Sequence, residues 1–266
     1  MYTSPSMKKL AIRHFYTSFI VCNFCLFSLQ ASSPYLFYTG AETYHFKRAR
    51  EGGTEQTGLI NGTRVGFDRI KPYGWYIGAD YLYASGRIKG KTGSGIRLGS
   101  ELNDQIFEAR LGFTLLQPGC RTTFIIPFGG WGSFREVNHF VSPSPLKYKF
   151  TDTFDYVVVG FLSGVNLTAL ISMGINFKVK FMLDGESKVT NDPFYDTVTL
   201  VMEKETLYRL DLPITYNPRN SLFGIDAQFV PFYEFRHFGG REGFPFDFKD
   251  TKFYLYGARL ALLYCF

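Results

Sequence analysis

Between Ile171 and Leu183 the chain reads ISMGINFKVKFML. Ile171, Met173, Ile175, Phe177, Val179, Phe181 and Leu183 share one parity, and Ser172, Gly174, Asn176, Lys178 and Lys180 share the other. A period of two belongs to a strand, whose successive side chains point to opposite faces. Seven apolar positions in a row on one face outrun the usual strand of five or six residues. Such a strand needs a thick apolar environment on one side only.

The pattern recurs. YLYGARLALLYCF (Tyr254 to Phe266) sets Tyr254, Tyr256, Ala258, Leu260, Leu262, Tyr264 and Phe266 opposite Gly257, Arg259 and Cys265. YGWYIGADYLY from Tyr73, IFEARLGFTLL from Ile106, LYRLDLPITY from Leu207 and FGIDAQFVPFYEF from Phe223 alternate in the same way. Weaker strands fall near 34–48, 56–69, 121–135 and 150–162. The total is about ten. Aromatic ends around an aliphatic middle are what a strand crossing a bilayer shows, with rings at both headgroup levels. Short turns near 68–72, 117–121, 163–166 and 216–220 alternate with polar loops near 49–55, 86–102, 136–149, 184–202 and 238–250. The expected fold is all-β: a closed, up-and-down antiparallel transmembrane β-barrel of about ten strands. A secreted β-sandwich would use the same alternation, but its apolar faces would be shorter and its aromatics central.

Composition agrees once it is divided. A mean hydropathy of −0.05 looks soluble, yet half-polar barrel strands average near zero. Residues 1–31 read as a secretory signal peptide: Lys8, Lys9 and Arg13 precede the apolar run FYTSFIVCNFCLFS, and Ala31 precedes the expected cut. The barrel is then residues 32–266. Its charge is 26 cations against 23 acids, net +3 rather than +6, which gives no reason to expect a nucleic-acid partner. The Cys22-x-x-Cys25 pair goes with the signal, leaving Cys120 and Cys265, expected at the periplasmic rim as free thiols.

With these strands in hand, the chain resembles the small outer-membrane β-barrel proteins of diderm bacteria, the OmpA/OmpW-type superfamily in the broad sense. ETYHFKR (Glu42 to Arg48) and RVGFDRI (Arg64 to Ile70) resemble segments of chlamydia-type outer-membrane proteins. The resemblance implies that the terminal strand, with Ala258, Leu260, Leu262, Tyr264 and a final Phe266 on one side, is the signal read by the barrel-assembly machinery. It also implies outer-membrane lipid and lipopolysaccharide as surroundings.

Parity places Arg64, Arg110, Lys178, Lys180, Arg209, Arg236 and Arg259 inside the barrel. It also places Asp68, Asp80, Glu108, Asp155, Glu205, Asp211, Asp226 and Glu234 there. The two signs nearly balance. An ion-selective path would carry an excess of one sign, so a lumen plugged by ion pairs is expected. His45, His139 and His237 fall near the loop end. Omptin-type proteases carry an Asp-x-His there, which EFRH (Glu234 to His237) lacks. The His-x-Ser of lipid A deacylases is missing at His139. GRIKGKT (Gly86 to Thr92) is one residue short of a phosphate loop and is expected to be a basic outer loop. No Cys/His spacing suits a metal, and no cofactor is implied. The function expected is non-catalytic: envelope structure or surface interaction through outer loops whose partner the sequence leaves open. A small porin is the alternative, and a rim protease or lipid-modifying enzyme the second alternative.

Overall fold

The computed structural model describes residues 35–71, 73–116, 123–145, 147–217, 224–243, 245 and 247–266. The described residues hold β segments and no helix: β1 (Tyr35–Arg50), β2 (Thr54–Arg69), β3 (Trp75–Lys91), β4 (Arg97–Phe113), β5 (Leu115–Leu116), β6 (Thr123–Val141), β7 (Lys149–Asn166), β8 (Ile171–Asp192), β9 (Asp196–Val201), β10 (Thr206–Asp211), β11 (Ile214–Tyr216), β12 (Ile225–Phe238) and β13 (Thr251–Cys265). They make ten staves. β5 continues β4 along the same edge of β6, and β9, β10 and β11 are three pieces of one stave beside β8. Every ladder is antiparallel between chain neighbours, and β1 pairs with β13 from Leu36↔Cys265 to Arg50↔Thr251. The sheet is therefore closed, which leaves no edge of unpaired backbone in lipid.

The broken stave has a local cause. Pro213 has no N–H for the ladder. Between β10 and β11, Gly174 N donates to Pro213 O at 2.8 Å and Leu212 N to Pro231 O at 3.0 Å.

The outer face is apolar over a band. On β3 it runs from Trp75 through Ile77 to Tyr81 and Tyr83, all exposed. Phe107, Trp131, Phe181, Tyr208, Tyr233 and Tyr256 ring the barrel at one level, and Trp75, Phe113 and Tyr216 at the other. Leu260 is 65% and Leu262 57% exposed between them. Soluble monomers rarely expose contiguous apolar surface on this scale; a bilayer belt does.

Most of the expected outer loops are strand instead. Gly86–Lys91 belongs to β3, residues 97–102 to β4, 136–141 to β6 and 184–192 to β8. The GRIKGK stretch is thus not a loop. A spanning strand needs about 9–11 residues, whereas β8 has 22 and β6 has 19. The surplus rises above the membrane, where the outward face meets water and turns polar, as at Arg87, Lys89 and Lys91. The alternation then carries no apolar signal. The expected turn at 163–166 is also strand; the chain reverses at 167–170, where Thr168 Oγ1 accepts from the N–H groups of Leu170 and Ile171.

Candidate functional site

The interior of the barrel collects charged side chains from nearly every stave. Arg64 on β2 donates to Glu42 (2.8 Å) and Asp80 (2.5 Å). Arg209 on β10 reaches Glu42 (3.3 Å), Asp211 (2.8 Å) and Glu234 (2.9 Å). Arg236 on β12 joins Glu234 (3.0 Å) to Asp104 (2.9 Å). Arg110 lies 3.1 Å from Asp80 and 3.5 Å from Asp68. Lys178 donates to Glu108 at 2.5 Å, and Lys180 lies 3.5 Å from Glu234. These side chains form one continuous layer across the lumen. Apart from Asp68, which is 14% exposed, their side chains are at most 6% exposed.

Two kinds of residue flank this layer. Toward the outer end the rings of Phe46, Phe134, Phe154, Phe238 and Phe253 pack on one another, with centroids 4.5 Å apart for Phe134–Phe154 and for Phe238–Phe253. Two residues further out along their strands stand Arg48, Glu136 and Asp152; Arg48 pairs with Glu136, and Ser187 donates to Asp152 at 2.5 Å. The Arg48 guanidinium also covers the Phe253 ring at 5.0 Å. Toward the periplasmic end the lumen is less full, and Arg259 lies over the Tyr38 ring at 5.1 Å.

Of the set placed inside by parity, Arg64, Asp68, Asp80, Glu108, Arg110, Lys178, Lys180, Arg209, Asp211, Glu234 and Arg236 lie together in this layer. Arg259 stands in the lumen but outside the ion-pair network, over the Tyr38 ring. Three further residues stand elsewhere. Asp155 is exposed on the outer face, because on β7 it is Phe154, Tyr156 and Val158 that turn inward. Glu205 precedes β10 in the break of its stave and turns outward to His237 Nδ1 at 3.2 Å. Asp226 is half-buried near the periplasmic mouth, with no ion pair among the described residues. Sequence reasoning missed Glu42, Arg48, Asp104, Glu136 and Asp152, all buried in the lumen.

The remaining sequence candidates take these positions. Ala258, Leu260, Leu262 and Tyr264 lie on the outer face of β13, and Phe266 follows its end. His45 stacks on Tyr256 at 4.8 Å. His237 Nε2 lies 2.6 Å from Asp250. Cys265 is free and exposed; Cys120 and residues 1–31 lie outside the described residues.

A charge-lined interior inside an apolar belt is the plan of one class of membrane protein. This chain has the fold of an integral outer-membrane β-barrel. The outer membrane protease OmpT from Escherichia coli superposes with a TM-score of 0.58 at 10% identity, over 90% of this chain and 99% of that one. The translocator domain of the autotransporter NalP from Neisseria meningitidis gives 0.49 at 10% identity, over 98% of both chains. The transport unit of the autotransporter AIDA-I from Escherichia coli gives 0.46 at 10% identity, over 95% of this chain and 97% of that one. No protein-family model and no curated protein sequence matches the chain. At such identities the outer-membrane barrel is shared as a fold, and the shared fold does not carry an activity.

Proposed function

We propose that the protein is a non-catalytic, non-conducting outer-membrane barrel that serves the envelope, or contacts outside it, through its outer strand extensions and hairpin tips. The observation that carries this reading is the filling of the lumen by buried side chains. The ion-pair layer around Arg209 and the stack of Phe134, Phe154, Phe238 and Phe253 both occupy it. The charges of that layer are paired, so they offer no excess of one sign to a permeating ion. Separating them inside the barrel would leave buried charges uncompensated.

The same reading takes the outer-rim histidine as structural. Both ring nitrogens of His237 face carboxylates, Asp250 and Glu205. Neither is directed at a nucleophile, as a general base requires. The outward side chains of β13, ending near Phe266, are in this view the element read by the assembly machinery, and lipopolysaccharide surrounds the polar strand extensions.

Single-channel recording of refolded protein in a planar bilayer tests the proposal. Inserted, heat-modifiable barrel is expected to give no current steps. Discrete, reproducible steps would replace this reading with a small porin.

A further inference from the structure

The ion-pair layer does not fill the periplasmic half of the lumen. Beneath it lies a chamber of about 210 Å³, with Arg64, Asp80, Arg110 and Lys178 at its inner end. Its side wall carries Leu36, Phe124, Leu162 and Leu263. A water in the liquid takes about 30 Å³, so the chamber has room for a molecule of several heavy atoms.

Arg259 stands in this wall and differs from the other lumen arginines. Arg64, Arg110, Arg209 and Arg236 each have a carboxylate within salt-bridge distance. Arg259 has none among the described residues; its guanidinium stands over the Tyr38 ring, 5.1 Å from the centroid. Its Nε–H is buried without an acceptor; the Nε–H of Arg110, which lines the same chamber, makes no hydrogen bond either, its nearest carboxylate oxygen being Glu108 Oε1 at 3.7 Å. The carboxylates that line the chamber are already engaged: Asp68 by Tyr76, Asp80 by Arg64 and Arg110, Asp211 by Arg209 and Asn176. Glu42, opposite Arg259 in the β1–β13 ladder, is held by Arg64 and Arg209, and Asp226 is not part of the lining. One acceptor in the wall, Asn176 Oδ1, is also unmatched. Donors without acceptors therefore predominate, beside an aliphatic and aromatic surface.

We propose that this chamber binds a small organic anion from the periplasmic side. A carboxylate would sit on the Arg259 fork, and a short hydrocarbon tail would lie against Leu36, Phe124, Leu162 and Leu263. A planar guanidinium held on a ring is suited to grip a carboxylate with two parallel hydrogen bonds. This inference goes beyond the non-conducting reading and does not depend on it, because the chamber wall and Arg259 stand where they do whether or not ions pass the ion-pair layer.

Butyrate is the probe, with 1-butanol and inorganic phosphate as controls. The readout is the Arg259 Nε–Hε resonance of refolded ¹⁵N-labelled barrel in micelles, assigned by its loss in Arg259→Gln. Butyrate is expected to move it saturably, butanol to leave it unmoved and phosphate to act more weakly. In a competition assay with ¹³C-butyrate, Arg259→Gln and the chamber-filling Leu162→Trp are each expected to weaken binding by about tenfold or more. Arg259→Lys, which keeps the charge but loses the fork, should fall between. Heat-modifiability confirms that each variant has folded, and Leu162→Trp tests the site if Arg259→Gln does not fold. The absence of a saturable shift overturns the inference, as does unchanged butyrate binding in a folded Arg259→Gln or Leu162→Trp variant. Phosphate binding as tight as butyrate overturns the assignment to organic anions.

Discussion

Glu136 on β6 and Asp152 on β7 stand directly opposite each other, both turned into the lumen and both shut off from solvent. Asp104 on β4 faces Glu136 from the other side. Three carboxylates thus cross three neighbouring staves in one row. Like charges directly opposed weaken a ladder, so the row depends on Arg48 at Glu136, Arg236 at Asp104 and the Ser187 hydroxyl at Asp152.

Arg48→Met removes a cation from this row and leaves the acids. It is expected to lower the unfolding free energy by about 3–5 kcal/mol, as breaking a buried pair does. Adding Glu136→Gln should return much of the loss by removing the charge left behind. Urea unfolding of the refolded barrel in lipid vesicles measures both. A single-variant loss below about 1 kcal/mol would show that the row is not held by Arg48.

Arg209 is the hub of the inner layer, reaching Glu42, Asp211 and Glu234 from three staves. Arg209→Met is expected to cost about 3–5 kcal/mol. Lys204→Met breaks the exposed pair with Asp184 and is expected to stay within about 1 kcal/mol. Equal effects of the two in the same urea titration would contradict the role assigned to the buried layer.

The Tyr156 ring lies against the backbone of Gly132 on the neighbouring strand, where a Cβ would collide with it. From there Tyr156 donates to Glu108 Oε2 at 3.2 Å. Gly132→Ala must displace the ring and crowd the Phe107 carbonyl, 2.7 Å from the added Cβ, and is expected to destabilise by about 1–3 kcal/mol. Gly52, at a hairpin tip, has a positive φ of 87° and open space where a Cβ would stand; there Ala acts through backbone strain alone, so Gly52→Ala combined with Tyr156→Phe should be additive. Gly132→Ala and Tyr156→Phe should not be. A double-mutant cycle for each pair decides.

Leu260 faces the bilayer belt, and Lys252 on the same strand lies above it. Leu260→Arg is expected to cost up to about 2–4 kcal/mol in vesicles, depending on its depth. Lys252→Ala should be close to neutral. If Leu260→Arg folds as well as the parent in thick bilayers, the assigned lipid face is wrong.

Ten staves, closure and the inward set from Arg64 to Arg236 were legible because the lipid-facing parity is a strong signal wherever its other parity is polar. Asp155 was misplaced where that contrast fails: Phe154, Tyr156 and Val158 are bulky and apolar inside, and Val157 and Val159 are apolar outside. A bulge where β7 pairs with β8, between Asp155 and Tyr156, shifts the register at the same height. Asp104 and Glu136 were missed because their strand segments rise past the membrane and read as loop or loop edge; Asp152, inside the strand expected near 150–162, was missed by the same inverted parity that placed Asp155 inward. Glu42 and Arg48 sit in β1, whose outward residues Thr39, Ala41, Thr43 and His45 carry little apolar contrast. The chamber around Arg259 was not legible at all, since a void depends on how side chains from distant staves fill the lumen.

The ladder between β1 and β13 joins residues separated by almost the whole described chain. No partial barrel can bury its charges and satisfy both edges until that last pairing forms. Contacts of such sequence separation form slowly, after a large loss of chain entropy. The order of synthesis therefore does little to guide this fold. The seam completes the barrel, and its timing governs how long two sticky strand edges stay open to other chains.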